Sequence, residues 1–213
     1  MSPRRSPPRL DRPTGRRAPK KRVLIVCEGQ VTEVEYFEGM RNYFRSLPVE
    51  IRNCRVIGLG RDPAAIVGYT IRERDKKDRE ARAQRDANIA YDEVWCVVDV
   101  DEHKTLDQAL IAARKEHVNL AVSLPCFELW ILYHFEDCAA ACDQEGVRRR
   151  LRKHISDYDK HLSRDFPFAN HEVARQRAQR ADPEHCEPNR KGRNPSTNAW
   201  LIVEIIRQSG RDR

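Results

Sequence analysis

Apolar residues gather in short unbroken runs, and between those runs apolar positions recur at helical spacing. Val23-Leu24-Ile25-Val26-Cys27 has no polar position, the pattern of a strand covered on both faces in a parallel sheet. Glu28-Gly29-Gln30-Val31 follows as a loop, and Thr32 with Glu35 has the T-x-x-E form of a capping box. The helix predicted from there buries Tyr36/Phe37, Met40, Tyr43/Phe44 and Leu47, which recur every three to four residues. Ile51 to Leu59 reads as a second strand. Asp62-Pro63 is an N-cap with proline at the first helical position. The helix after it is apolar at Ile66, Val67 and Ile71, then turns to charge from Arg72 to Arg85, as an exposed helical extension or a mobile loop. Glu93 to Val100 is a third strand, Thr105 and Gln108 form a second capping box for a helix through Lys115, and Val118 to Leu124 is a fourth strand.

The order β-α-β-α-β-α-β implies an α/β fold, a Rossmann-like parallel sheet of about four strands with helices on its faces. Cys126 to Phe135 predicts a helix that is apolar almost all round and therefore buried. The remainder reads as helical, near Gly146–Ile155 and His171–Arg180, with a last helix from Ser196/Thr197 to Gln208. The organisation expected is a basic Pro/Arg-rich tail (1–20) without order, an α/β domain (21–136), and a helical C-terminal region (137–213) packed on the same core.

Charge is unevenly spread. The chain carries +7, but residues 1–22 hold nine Lys/Arg against Asp11 alone, a charge of +8, so the rest is close to neutral at −1. Within it, Arg148, Arg149, Arg150, Arg152 and Lys153 form a local basic run, of which Arg148, Arg149, Arg152 and Lys153 are candidates for phosphate-backbone contacts. No apolar run approaches the ~20 residues of a membrane span, and the N-terminus lacks the apolar centre of a secretory signal. A cytoplasmic location is the expectation. The seven cysteines are odd in number and scattered in spacing, which fits a reducing compartment. Cys138-x3-Cys142 with Cys186 is a weak candidate for zinc, without a paired CxxC.

Candidate chemistry lies at strand ends. Asp99-Val100-Asp101 closes the third strand, and residues two apart share a face, so both carboxylates could point into the mouth beyond the carboxyl end of the sheet, where open α/β sheets bind ligands. Converging carboxylates repel unless a proton or cation relieves them, and Mg²⁺ or Mn²⁺ suits such oxygen ligands. A solvated strand-end turn is the plainer alternative. Glu28 holds the matching place on the first strand. If the strands are neighbours, Glu28, Asp99 and Asp101 share one cleft and can act as metal ligands and proton carriers on a phosphoryl group. Glu33 and Glu35 suit the dipole of the following helix, although Glu33 can reach the site. Glu128 is the one acidic residue between Leu124 and Phe135, so its burial demands a partner: a structural ion pair, or a place in the same cleft. His134 reads as a core or surface histidine.

Glu after strand one followed by D-x-D after a later strand resembles the Toprim signature of topoisomerases, primases, small ribonucleases and the nuclease domains of overcoming-lysogenization-defect proteins. Val26-Cys27-Glu28-Gly29 with Thr32-Glu33, Asp99-Val100-Asp101, Pro125-Cys126-Phe127-Glu128-Leu129-Trp130 and Asn194-Pro195-Ser196-Thr197 together resemble RloB/AbiLii-type abortive-infection proteins of bacterial phage defence, over roughly residues 21–208. The resemblance implies a Toprim-like fold, metal-dependent nuclease chemistry with RNA such as tRNA as the favoured substrate, and a co-encoded ATPase partner. It makes Glu28 a general acid/base or metal ligand, and Asp99 and Asp101 metal ligands; Glu102, next in the chain, is either a further acid or a solvated side chain. It also suggests Lys160 as a phosphate contact, although a surface lysine is the simpler reading. The alternatives are a non-catalytic nucleic-acid or partner-binding module and a D-x-D nucleotide-sugar transferase, which leaves Glu28 without a role. A haloacid-dehalogenase-type phosphatase places its aspartate after the first strand and fits less well. No G-x-x-x-x-G-K-[S/T] phosphate loop is present, so ATP hydrolysis would belong to a partner.

Overall fold

A computed structural model describes residues 21–46, 49–53, 62–100, 105–156 and 158–210. The expectations for the tail, for Leu47, for the strand beyond Asn53, and for Asp101 and Glu102 lie outside these residues. The described elements are β1 (Val23–Cys27), α1 (Thr32–Phe44), β2 (Val49–Asn53), α2 (Pro63–Gln84), β3 (Glu93–Asp99), α3 (Leu106–Lys115), β4 (Asn119–Leu124), α4 (Glu128–Leu132), α5 (Gln144–Leu151), α6 (His171–Ala181), β5 (Ser196–Thr197) and α7 (Trp200–Gly210).

The sheet runs β2-β1-β3-β4-β5, with β1 to β4 parallel and β5 antiparallel at the edge. Alternation along each strand splits the core in two. Val23, Ile25, Cys27, Trp95, Val97 and Ala121 face one layer, with Tyr36 and Phe37 of α1 and the helices after β4. Leu24, Val26, Val94, Cys96, Val98 and Leu120 face the other, with Ile66 and Val67 of α2 and Leu106 and Leu110 of α3. Both faces of β1 are therefore dry, as its unbroken apolar run predicts. The chain crosses from β1 to β2 on one face and from β3 to β4 on the other, so its winding reverses between β1 and β3. That reversal is the crevice-forming position of a doubly wound sheet. The α/β reading holds, with five strands among the described residues where about four were expected.

Local details correct the sequence reading. The charged half of α2 is helical, and Asp62 caps the helix as predicted, accepting from Ala64 N–H at 3.1 Å. Neither capping box forms. The Thr32 hydroxyl bonds with Tyr158 and the Lys160 carbonyl, while Glu35 holds the Leu162 N–H at 2.8 Å and His161. Thr105 turns its hydroxyl to Asp62. Ser196 and Thr197, read as a helix start, are a strand, and the last helix begins at Trp200.

That strand is too short to cover β4. Thr197 and Ser196 pair with Ser123 and Leu124, and two asparagines complete the edge. Asn198 Oδ1 accepts from Val122 N–H at 2.7 Å, and Asn189 Oδ1 accepts from Leu120 N–H at 2.7 Å while its Nδ2 donates to the Val118 carbonyl. Side-chain amides thus stand in for a neighbouring strand, one way to keep an exposed edge from pairing with other chains. The residues after α4 therefore finish both the sheet and the core on the α1 face.

Candidate functional site

β1 and β3 are hydrogen-bonded neighbours with Cys27 opposite Val97, so their carboxyl ends finish side by side at the reversal of winding. The Glu28 N–H donates to the Val97 carbonyl at 3.0 Å, carrying the pairing one residue past β1. Its carboxylate then reaches across to β3, and Oε2 accepts from the Asp99 N–H at 3.1 Å. Asp99 ends β3 beside Ser123 of β4. Glu28 and Asp99, 71 residues apart in the chain, meet at one strand edge as the sequence spacing predicts.

Two more carboxylates converge there. Glu28, Glu33 and Glu128 are 8%, 7% and 5% exposed, so three glutamates are removed from bulk water in one region. Glu33, in the first turn of α1, folds back over Gly29, and a Cβ at Gly29 would overlap its carboxylate oxygens. Only glycine leaves room for that carboxylate. Burial holds the Glu33 carboxyl up at about 7; the charge of Glu128 pushes the same way, and backbone N–H groups of Glu33 and Gly29 and the charge of Lys160 push against it. A carboxyl in that range can both give and take a proton near neutral pH.

Glu128 opens α4, the buried segment that follows β4. Arg148 Nε of α5 lies 3.3 Å from its Oε1, the ion pair that its burial requires. Burial, with the charges of Glu128 and Asp99 adding to it, pushes the Cys126 thiol up, which ties the β3 end to the start of α4. Tyr158 completes the wall. Its hydroxyl lies 2.9 Å from Thr32 Oγ1, and burial, with Glu128 and Glu33 beside it, raises its ionisation well above the ordinary range. Thr32 also donates to the Lys160 carbonyl at 2.7 Å, pinning the 158–160 segment to the start of α1 and holding Lys160 near Glu33. Lys160 has φ 91°, in the left-handed region that L side chains rarely adopt, so strain is concentrated at the rim of this cleft.

The family model described as RloB-like protein matches residues 23–206, from β1 into α7 and across every element that builds the cleft. The chain belongs to the RloB-like family. No curated protein and no solved structure matches it.

In this RloB-like chain the cleft gathers Glu28, Glu33, Asp99, Glu128, Arg148 and Lys160. From sequence Thr32 reads as a cap and Cys126 only as part of the family motif, and Tyr158 is not a candidate; their places here depend on contacts across the chain. Asp101 lies outside the described residues. Among the described residues no group of three or more His, Cys, Asp or Glu side chains is arranged to hold a metal ion, which includes the weak zinc candidate at Cys138, Cys142 and Cys186. Of the basic run, Arg148 is turned to Glu128, Arg152 pairs with Glu145 at 3.0 Å, and Arg149 and Lys153 are exposed beside them. Among the described residues no helix is long and apolar enough to cross a membrane.

His134 is a core histidine. Its Nδ1 donates to the Trp130 carbonyl at 3.1 Å, which leaves Nε2 to accept from the Tyr36 hydroxyl at 3.2 Å. Burial lowers its ionisation from 6.5 to about 3. The unfolded chain therefore takes up a proton below about pH 6.5 that the folded chain refuses, and stability falls as pH drops from there toward 3. Glu33, raised from 4.5 to about 7, acts oppositely: its stabilisation is full below pH 4.5 and is lost as pH rises through 7. Melting temperatures of wild type and His134→Gln measured from pH 7.5 to 4 separate the two, and the variant should lose less stability on acidification.

Proposed function

We propose that this chain is a divalent-metal-dependent phosphodiesterase acting on nucleic acid, RNA such as tRNA first, and an effector of phage defence that works with a co-encoded ATPase. The observation that carries the reading is the Glu28–Asp99 meeting at the switch point between β1 and β3. Carboxylates there are hard oxygen donors of the kind Mg²⁺ and Mn²⁺ take, and these ions commonly share their shell with phosphate oxygens. Glu28 and Asp99 would hold the ion, with Asp101 as the third ligand from just past the end of β3. A bound divalent ion supplies charge stabilisation at a phosphoryl group and a more acidic water.

The remaining work falls to the chain's own groups. Glu33 exchanges a proton beside the metal ligands. Arg148 holds Glu128 in place, and Lys160 at the rim meets substrate phosphate. Arg149, Arg152 and Lys153 lie along α5 and the turn after it, where a phosphate backbone can follow them. Tyr158 and Thr32 hold the wall against water.

Purified protein, alone and with its ATPase partner, is incubated with total RNA and with plasmid in Mg²⁺ or Mn²⁺. Cleavage that EDTA stops is expected, and RNA should be cut in preference to plasmid. Divalent-independent cleavage, or none with the partner and ATP present, overturns the assignment. Gly29→Ala provides a finer test. The added methyl displaces only the flexible end of Glu33, so the melting temperature should stay within about 2 °C of wild type. Cleavage should fall by about 10²-fold, as for the loss of a positioned proton carrier.

A further inference from the structure

The segment joining α4 to α5 holds a second chemically distinctive pair. Cys138 and Cys142 are both unbridged, and their sulfurs lie 3.7 Å apart. A disulfide closes at about 2.05 Å, so two side chains on one short loop need to approach by less than about 2 Å. Arg150 of α5 donates from Nη1 to Cys138 Sγ at 2.9 Å. The same guanidinium is anchored by Glu136 Oε1 at 2.5 Å and by the Asp137 carbonyl, so it is held against the sulfur. A guanidinium held against the sulfur fixes its position beside Cys142 and can steady the negative charge that moves through it when it attacks an oxidant.

The two sulfurs are not equivalent. Cys138 is buried and faces Arg150, whereas Cys142 is only half-buried at the surface. Burial and the neighbouring Cys138 sulfur push the Cys142 thiol up to about 12, so Cys142 keeps its proton. The Cys142 backbone is tied at both its N–H and its carbonyl to the Asn194 side chain, at 3.2 and 2.8 Å, which fixes the loop with the sulfurs in contact.

We propose that Cys138 and Cys142 are a peroxide-oxidisable dithiol that closes reversibly into an intramolecular disulfide. The Cys138 sulfur attacks a peroxide oxygen; an S–O bond forms, the O–O bond breaks, and the leaving hydroxide departs as water with the Cys138 proton. The Cys142 sulfur then attacks Cys138, forming the S–S bond and expelling the hydroxyl as a second water with the Cys142 proton. Two thiols are oxidised by two electrons, and one hydrogen peroxide is reduced to two waters. Closure draws the Cys138 sulfur toward Cys142 and away from Arg150, which lies on the same helix as the Arg148 that pairs with Glu128.

The test treats the full chain with hydrogen peroxide, then alkylates it with N-ethylmaleimide and maps the peptides by mass. The peptide holding both cysteines should become two hydrogens lighter and unalkylated, and dithiothreitol should restore both alkylation sites. Cys142→Ser should stop at a sulfenic acid on Cys138, trapped by dimedone, and Arg150→Gln should slow closure by about fivefold or more. Continued alkylation of both residues at peroxide doses that oxidise the exposed Cys186 would overturn the proposal. So would closure at the wild-type rate in Arg150→Gln, or dimedone labelling of Cys142 in place of Cys138.

Discussion

Glu28→Gln and Asp99→Asn should each lower divalent-dependent cleavage by about 10³-fold or more while leaving the fold intact. Metal assistance contributes several kcal/mol to a phosphoryl transition state, and each ~1.36 kcal/mol is tenfold in rate. The substitutions isolate charge from structure. In Glu28→Gln the new amide oxygen can still accept from the Asp99 N–H, the bond that the native carboxylate makes at 3.1 Å. Asp99→Asn likewise keeps the shape of the aspartate. Either variant should stay folded and melt as a single cooperative transition, because each substitution keeps the size and shape of the native side chain. A variant that melts early would trace the lost activity to folding. A stable variant with wild-type activity would remove these carboxylates from the chemistry.

The second large effect is on stability and lies far from the chemistry. Asn189→Ala should cost about 3–5 kcal/mol. It removes the acceptor for Leu120 N–H in β4 and the donor to the Val118 carbonyl just before it, and each buried group left without its partner costs about 1–3 kcal/mol. Asn189 also has φ 59°, where asparagine is tolerated and alanine is strained by about 1–2 kcal/mol. For a chain of this size the melting temperature should fall by about 10 °C. Asn189→Gly separates the two contributions, since it loses the amide without the strain. The exposed stretch of β4 should also promote aggregation on heating. A drop of only a degree or two would mean that the amide does not support the sheet.

The parts legible in the sequence were those whose cause is local. Short, largely apolar runs alternating with helical patterns read as strands buried on both sides, so β1, β3 and β4 and the parallel sheet followed directly. The meeting of Glu28 with Asp99 followed from strand-end placement plus adjacency. The demand that Glu128 find a partner followed from the cost of burying a carboxylate, although which arginine answers it did not. The failures share one origin. Thr32 and Glu35 have the letters of a capping box, yet their oxygens serve residues 158 to 162, about 126 positions away. Ser196-Thr197 carries no strand periodicity because two residues cannot show any, and its pairing is fixed by the β4 edge. Asn198 falls inside the last helix as the sequence predicts it and Asn189 carries no local signal, yet both serve as edge-strand substitutes. Where a side chain's partner lies across the fold, local pattern assigns it to the nearest available role.

Calorimetric titration of Mn²⁺ into the purified chain, compared with the same titration of Glu28→Gln and Asp99→Asn, tests the central claim without requiring a substrate. Saturable binding in wild type, weakened at least about tenfold in either variant, is the predicted result. Identical isotherms for all three proteins would contradict a metal centre at the joined ends of β1 and β3.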